Sequence, residues 1–202
     1  MTLWHGQRPL ILASQSCARK ILLGACGLRF EAMPADVDER GLQQNSELSA
    51  PGAIAALLAR EKARYVSARR AGHYVIGADQ TLALDNQLFN KPGGRAAAAE
   101  QLRALSGRTH ELHSAVAVAL DDEIMFETMA VARMTMRPLS GEDIRTYLDA
   151  AGDTVTTSVG AYQLEGLGVH LFERIEGDHF TILGLPLLPL LAFLRRERLI
   201  GL

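Results

Sequence analysis

The fold class follows most directly from one segment near the amino terminus, Leu10-Ile-Leu-Ala-Ser-Gln-Ser-Cys-Ala-Arg-Lys20. Its four apolar residues, Leu10 to Ala13, predict a short buried strand. Ser16 then stands where a helix needs a capping hydroxyl, and the helix is predicted from Cys17 to about Cys26, with Gly27 in the usual stop position. A buried strand that leads directly into a helix is the unit from which α/β folds are built.

The rest of the chain repeats this alternation of apolar strands and amphipathic helices, so the predicted fold class is α/β. The predicted strands lie at 30–33, 74–78, 81–84, 87–89, 110–120, 123–136 and about 169–173, with turns at Asp85-Asn86 and Asp121-Asp122. The predicted helices lie at about 49–71, opened by Ser49, at 95–105, at 140–151, capped by Ser140, and at 187–199; an acidic loop is predicted at 36–49.

Composition bounds the function classes. The chain has 202 residues, which is the size of one domain, with 21 Lys and Arg against 23 Asp and Glu and a formal net charge of −2. A charge so near zero argues against a nucleic-acid coat or a polybasic membrane binder. Cys17 and Cys26 are too far apart on one helix to form a disulfide, which suits a cytoplasmic protein. The apolar run 183–194 is too short to span a bilayer, and no export signal is visible.

Two familiar kinds of site are not supported by the sequence. No phosphate-binding loop of the G-x-x-x-x-G-K-[ST] type is present, so the chain is not a P-loop enzyme. His110 and His113 suggest a zinc site at first sight. Their spacing of three on a predicted strand, however, places them on opposite faces of the sheet.

The start of the first helix is a candidate anion site. Ser14 and Ser16 precede Arg19 and Lys20, and two cations in a first turn oppose the helix dipole. Free amide groups, hydroxyls and cations together are explained if an anion binds there. The alternative, equally weighted from the local sequence, is that both cationic side chains extend into solvent.

Among the basic residues the lysines are rare, since only Lys20, Lys62 and Lys91 accompany 18 arginines, and each is therefore a candidate for a specific role. Lys62 falls within the apolar stripe of the long predicted helix, so its ammonium either reaches water or points into a cleft. Lys91 lies in the rigid turn Lys-Pro-Gly-Gly at 91–94.

Two sets of carboxylates complete the candidates. Asp79 follows a buried strand, where α/β folds often place functional side chains, although a capping or turn role is the commoner one for such an aspartate taken alone. Asp36, Asp38 and Glu39 are hard oxygen donors suited to Mg²⁺ or Mn²⁺, although acidic loops are usually just solvated.

Taken together, these motifs resemble the Maf family of nucleoside triphosphate pyrophosphatases. The resemblance runs nearly from end to end and rests on nine short motifs in the family's order. They are Leu-Ile-Leu-Ala-Ser-Gln-Ser at 10–16, Asp-Val-Asp-Glu at 36–39, Glu-Lys-Ala at 61–63, Ile-Gly-Ala-Asp-Gln at 76–80, Asn-Lys-Pro at 90–92, Leu-Ser-Gly-Arg-Thr-His at 105–110, Gly-Ala-Tyr-Gln-Leu-Glu-Gly at 160–166, Ile-Glu-Gly-Asp at 175–178 and Leu-Gly-Leu-Pro at 183–186.

The resemblance implies a single domain over residues 1–202, with a central mixed sheet, flanking helices and two lobes around a cleft, similar to inosine triphosphate pyrophosphatases. It implies hydrolysis of a nucleoside triphosphate to a monophosphate and pyrophosphate with a divalent metal, Mg²⁺ or Mn²⁺. A homodimer is also what the family suggests. By resemblance, the catalytic residues are Asp79, Lys62, Lys91 and Arg19, the metal residues are Asp38 and Asp79, and the substrate-binding residues are Ser14, Ser16, Ala18, Lys20, Gln80 and Glu165.

One departure bears on the choice of base. Ala18 stands where the family commonly has a large side chain, which removes an aromatic that stacks on a base. Gln80 and Glu165 nevertheless resemble the subgroup that acts on 7-methyl-GTP. The alternative function from the same resemblance is a non-catalytic nucleotide-binding regulator of septum formation and cell division, which would not need the full set of catalytic residues.

Overall fold

The fold comes from a computed structural model, which describes residues 3–85 and 87–201. The strands are β1 (Leu10–Ala13), β2 (Phe30–Ala32), β3 (Val75–Leu84), β4 (Gln87–Phe89), β5 (Thr109–Leu120), β6 (Glu123–Met136) and β7 (Phe172–Glu176). The α-helices are α1 (Cys17–Ala25), α2 (Glu39–Asn45), α3 (Pro51–Ser67), α4 (Arg95–Leu105), α5 (Gly141–Ala151), α6 (His179–Ile182) and α7 (Leu187–Arg196). Short 3₁₀ turns lie at Gly152–Thr156, Val159–Ala161 and Leu167–Leu171.

The strands form one mixed sheet in the order β2-β1-β3-β5-β6-β7, with β4 paired to β3. β1 is parallel to both β2 and β3, whereas β4 is antiparallel to β3 and β7 is antiparallel to β6. Strands β5 and β6 meet at Asp121 and Asp122, which both have positive φ, as a tight hairpin turn requires. The prediction of an α/β fold with a mixed sheet is confirmed.

Several predicted elements agree closely with the structure. β1, β6 and α4 have the predicted bounds, and the Ser16 hydroxyl accepts a hydrogen bond from the Arg19 amide at the start of α1. Ser140 forms a reciprocal capping box with Asp143 at the start of α5. The predicted hairpin between β3 and β4 is present, with Leu82 opposite Phe89; its turn residue Asn86 lies outside the described residues.

Three predictions at the edges of elements were wrong. The loop predicted at 36–49 contains α2, which has no buried residue and therefore no apolar periodicity to reveal it. Ser49 does not cap the long helix: Ala50 stands at the cap position of α3 without a side-chain hydrogen bond, and Pro51 begins the helix. The last strand begins at Phe172, three residues later than predicted.

The most consequential correction concerns β3. The sequence predicts that a strand ends just before Asp79, but β3 runs without interruption from Val75 to Leu84, so Asp79 and Gln80 lie in its middle. Polar residues inside a strand are tolerated when each side chain finds a partner, and both do, as described below.

The chain divides into two compact units. The first contains the segments up to Gln80, Ser114–Ala130 and the chain from His179 onward; the second contains Thr81–His113 and Val131–Asp178. In the first unit, a large core packs side chains of β1 and β3 against those of α1 and α7, including Leu12, Leu23 and Phe193. In the second unit, Leu102, Leu105, Met134 and Met136 are fully buried.

On its other side, the first unit's part of the sheet packs closely against α3. The small side chains of Ala55, Ala59 and Ala63 on the helix meet Ala115, Ala117 and Ala119 of β5. Gly77 of β3 allows the closest approach. A Cβ atom there would overlap the Ala59 carbonyl oxygen and would lie only 2.6 Å from the Ala63 nitrogen. α3 is therefore held against β3 at backbone contact distance.

Two further sequence predictions concern the cysteines and membrane spans. Cys17 and Cys26 are both free, as expected. Within residues 3–85 and 87–201, no helix combines the length and the apolarity that crossing a bilayer requires.

Candidate active site

The close packing of α3 on β3 brings Lys62 and Asp79 together. The Lys62 ammonium nitrogen lies 2.5 Å from Asp79 Oδ1, and the residues are 9% and 7% exposed. Of the two alternatives left by the sequence, the structure supports the one in which the ammonium points inward. A buried ion pair of this kind is costly to desolvate and is a weak device for stability alone, which makes a functional role the better explanation.

A second carboxylate contacts the same ammonium. Glu39 Oε1 lies 2.7 Å from Lys62 Nζ, and the Glu39 side chain is half exposed. Glu39 is the first residue of α2, directly after Asp38, whose Oδ1 accepts a hydrogen bond from the Gly41 amide and caps the helix. From the sequence, Glu39 is distinguished only as one of three acidic residues at 36–39. An aspartate cap followed by a first-turn glutamate was the available signal for a helix that presents Glu39.

Arg19 is held by acceptors on three separate segments. Its Nε donates to the Gly184 carbonyl at 2.7 Å, and its Nη1 donates to the Ala78 carbonyl at 2.8 Å and to Ser14 Oγ at 3.3 Å. The alternative in which the Arg19 side chain extends into solvent is therefore wrong. Instead the guanidinium is fixed beside the residue that precedes Asp79, which is a position suited to binding phosphate oxygens.

Burial and charge act against each other on Asp79. Burial raises the pKa of the Asp79 carboxyl above its ordinary value, whereas the positive charges of Lys62 and Arg19 lower it and Glu39 raises it. Burial also lowers the pKa of Arg19, against the attraction of Asp79 and Glu39. A carboxylate with a raised pKa beside two cations is suited to accept a proton from water at neutral pH.

Gln80 lies on the other face of the sheet from Asp79, because consecutive strand residues alternate between faces. Its Nε2 lies within hydrogen-bond distance of Ser114 Oγ and of the carbonyl oxygens of Thr181 and Ile182. The structure thus places Gln80 among residues of β5 and α6, and not beside the Lys62–Asp79 pair.

The remaining predicted residues fall into two groups. Ser14, Ser16, Ala18 and Lys20 belong to the first unit, at the junction of β1 and α1, and Ser14 Oγ accepts hydrogen bonds from Arg19 and from the Ser16 amide. Lys91 and Glu165 belong to the second unit and are both exposed.

The two histidines set aside as metal ligands lie three residues apart on the continuous strand β5, which places them on opposite faces as predicted. His110 is fully buried and its Nε2 lies 2.7 Å from the Tyr162 hydroxyl, while His113 Nε2 lies 3.1 Å from Glu111. Burial lowers the pKa of His110 to about 4, so this imidazole is neutral at physiological pH.

The donor set around Lys62 is compatible with a divalent metal shared with phosphate. In the described part of the chain, no three His, Cys, Asp or Glu residues are grouped to hold a metal by themselves. Mg²⁺, however, is usually bound by one or two carboxylates together with substrate phosphates and water. Glu39 and Asp79 supply two such carboxylates, both in contact with one ammonium.

Comparison with known proteins places the chain. The profile described as Maf-like protein matches residues 9–197. The chain belongs to the Maf-like family. A nucleoside triphosphate pyrophosphatase of Bradyrhizobium diazoefficiens is 69% identical over 201 residues, covering 100% of both chains. A 7-methyl-GTP pyrophosphatase of Rhizobium etli is 50% identical over 188 residues, covering 92% of this chain and 94% of that protein.

Among solved structures, a HAM1 protein from Coxiella burnetii shows a TM-score of 0.43 at 17% identity, covering 63% of this chain and 72% of that chain. The predicted membership of the Maf family is confirmed. The prediction of a nucleotide pyrophosphatase agrees with the names that the Maf relatives carry.

Proposed function

We propose that the protein hydrolyses nucleoside triphosphates between the α- and β-phosphates, releasing a nucleoside monophosphate and pyrophosphate. The observation that carries this proposal is the buried Lys62–Asp79 pair, with Glu39 on the same ammonium and Arg19 beside it. Relatives that are named nucleoside triphosphate pyrophosphatase and are 60–69% identical along essentially the whole chain support it.

In this reaction the chain's own residues have separate tasks. Asp79 accepts the proton of the attacking water or holds the metal, and its raised pKa suits the first task. Arg19 and Lys62 place positive charge where phosphate oxygens gather negative charge. Lys91 is proposed as a further cation for the triphosphate, and Ser14, Ser16 and Lys20 as phosphate contacts at the start of α1.

A divalent metal, Mg²⁺ or Mn²⁺, is part of the proposal. Glu39 and Asp79 would hold it, with Asp38 as the further acidic residue assigned by resemblance, and when bound it supplies Lewis-acid stabilisation of the phosphates. Lys62 then has a second task, because its ammonium keeps the two carboxylates together before substrate arrives.

For the base, we propose a preference for 7-methyl-GTP. The support is Glu165, a carboxylate that can accept hydrogen bonds from a guanine edge and that favours a positively charged methylated ring. The Rhizobium etli relative of that name adds support. Ala18 argues against this preference, because it offers no aromatic ring on which the base could stack. Steady-state kcat/KM over a panel of nucleotides tests the preference, which falls if dTTP or UTP is hydrolysed more efficiently than 7-methyl-GTP.

The experiment that tests the activity is pyrophosphate release with Mg²⁺ or Mn²⁺, in the wild type and in Asp79→Asn. We expect the variant to lose roughly 10²–10³ in kcat, by analogy with the loss of one preorganised electrostatic group. Asp153→Asn, which changes an exposed aspartate of the second unit, is the matched control. Wild-type protein that binds a nucleoside triphosphate without hydrolysing it would instead support the regulator of septum formation.

The setting of the enzyme is also proposed. We place it in the cytoplasm, where a single domain over residues 1–202 with two free cysteines suits a reducing compartment. A homodimer remains a prediction from family resemblance, to be tested by light scattering. Neither a nucleic acid nor a membrane is proposed as a partner.

A further inference from the structure

The amide of Gln80 has one fixed orientation. Its Nε2 lies 2.8 Å from Ser114 Oγ, 3.2 Å from the Thr181 carbonyl oxygen and 3.0 Å from the Ile182 carbonyl oxygen. Carbonyl oxygens only accept hydrogen bonds, so the nitrogen end of the amide must face them. The Gln80 side chain is therefore bound to the last two residues of α6, directly before the chain turns toward α7.

Ser114 completes this contact from the next strand of the sheet. It is fully buried on β5, and its Oγ lies 2.7 Å from the Thr181 carbonyl. A hydroxyl has one proton and two lone pairs. The proton goes to Thr181, because that carbonyl only accepts, and a lone pair remains for Gln80 Nε2. The two protons of Gln80 Nε2 are shared among three acceptors, Ser114 Oγ and the carbonyl oxygens of Thr181 and Ile182.

The same segment also supports Arg19. Two residues after Ile182, the Gly184 carbonyl accepts from Arg19 Nε, and the same guanidinium holds the Ala78 carbonyl. Gly184 has a φ of 87°, a conformation that disfavours other residues, so the direction of its carbonyl is built into the turn. The position of residues 181–184 therefore sets one of the three contacts that hold the Arg19 guanidinium, and it is the only one made by Nε.

We propose that Ser114 is a positioning residue for nucleotide binding: together with Gln80 it fixes residues 181–184, and through Gly184 it fixes Arg19. This inference rests on the proposed function, in which Arg19 binds phosphate. Ser114 touches neither Lys62 nor Asp79, which act on the other face of β3. Its loss is therefore expected to weaken nucleotide binding while leaving the chemical step largely unchanged.

Gln80 has an indirect role in this proposal. Because its Nε2 is committed to Ser114 and to two carbonyl groups, Gln80 acts through the 181–184 segment. Ser114 and Gln80 contact each other and share the Thr181 carbonyl, so removing either partner loosens the same segment. Their effects on KM should not be additive.

The test is Ser114→Ala, with Ser67→Ala as the matched control. Ser67 is also buried and its Oγ also accepts one hydrogen bond, from the Asp122 amide, but it has no part in the 181–184 segment. For Ser114→Ala we expect KM for the nucleotide to rise about five- to tenfold, the effect of one lost hydrogen bond, while kcat changes less than about twofold. Ser67→Ala should leave KM unchanged.

A measurement independent of turnover accompanies the kinetics. The amides of Leu183, Gly184 and Leu185 donate to carbonyls within residues 179–181. Hydrogen exchange of a peptide covering 179–186, followed by mass spectrometry, should be faster in Ser114→Ala and unchanged in Ser67→Ala. The double variant Ser114→Ala/Gln80→Leu should show a KM close to that of either single variant.

Each contrary outcome has a definite meaning. A fall in kcat with unchanged KM, or unchanged exchange at 179–186, overturns the positioning role of Ser114. Equal effects of Ser114→Ala and Ser67→Ala on KM and on hydrogen exchange would show that Ser114 contributes only to general stability. If the wild type hydrolyses nucleotides but Ser114→Ala binds them normally, only this inference fails; if the wild type hydrolyses none, the proposed function fails and this inference with it.

Discussion

Lys62 Nζ lies 2.5 Å from Asp79 Oδ1, and the two side chains come from a helix and a strand whose backbones touch at Gly77. The pair is buried, and Glu39 reaches the same ammonium from outside. Proton affinity, metal binding and packing at this site are therefore linked.

The first prediction concerns the acid limb of the pH–rate profile. Activity should fall as pH falls, because Asp79 must be deprotonated, and burial raises its pKa above the ordinary value. Lys62→Met removes a charge that lowers this pKa, so the limb should move to higher pH. The measurement is kcat/KM against pH. Arg64→Met, which removes an exposed cation from the same helix, should leave the limb in place; a limb unmoved in Lys62→Met would exclude the pairing.

The second prediction distinguishes Glu39 from Asp38. Glu39→Gln removes a carboxylate that contacts Lys62, so the Mg²⁺ concentration for half-maximal activity should rise about fivefold or more, the effect of losing one charged ligand. Asp38→Asn should change that concentration less than Glu39→Gln does, since Asp38 Oδ1 already caps α2 and asparagine also caps well. Titration of activity with Mg²⁺ decides between them. Equal shifts in both variants would place Asp38 among the metal ligands, as the family resemblance has it.

The third prediction concerns stability at acid pH. His110 is buried against Tyr162, and its folded pKa of about 4 lies below the unfolded value of 6.5. Protonation therefore favours the unfolded chain, so the stabilising contribution is complete above about pH 6.5 and is lost as pH falls toward about 4. The free energy of unfolding should fall by about 2–3 kcal/mol from this group alone.

Urea unfolding at several pH values measures this loss. The glutamine in His110→Gln is neutral and can accept a hydrogen bond from the Tyr162 hydroxyl. This variant should flatten the dependence of the free energy of unfolding on pH between about pH 6.5 and pH 4. His170→Gln changes an exposed histidine and should not. The assignment fails if the pH dependence of His110→Gln equals that of the wild type.

The fourth prediction concerns Gly77. In Gly77→Ala the added methyl overlaps the backbone of α3, so the helix must move away from β3 at a cost of about 1–3 kcal/mol. Lys62 moves with the helix, and pyrophosphate release should fall although no polar group has changed. Thermal unfolding and activity are measured together. Gly141→Ala, where a methyl meets nothing within 4 Å, is the control, and wild-type behaviour of Gly77→Ala would contradict the tight contact.

Much of the fold could be predicted from the sequence, because apolar periodicity is a local property. β1, α4 and β6 were found by alternation and spacing, and Ser16 and Ser140 by their capping positions. The inward direction of Lys62 was one of two alternatives, since an apolar stripe shows that a lysine is on the buried face and not whether its tip reaches water.

What the sequence could not show depended on distant partners. The sequence predicts two strands in place of β3, because two polar residues in a row, Asp79 and Gln80, usually end a strand. In the structure, Lys62 and Ser114 supply the partners that let the strand continue. α2 was missed because it buries nothing. Gln80 was assigned by resemblance to base choice, while its contacts with residues 181 and 182, a hundred positions away, have no local signature.

The absence of a side chain at Gly77 has a consequence for protein engineering. The distance between α3, which carries Lys62, and β3, which carries Asp79, depends on three small residues at their contact, Ala59, Ala63 and Gly77. A combinatorial library of small residues at these positions would vary the acidity of Asp79 in graded steps while the net charge stays at −2. We therefore expect residue size at these positions to affect the pH dependence of activity as well as stability.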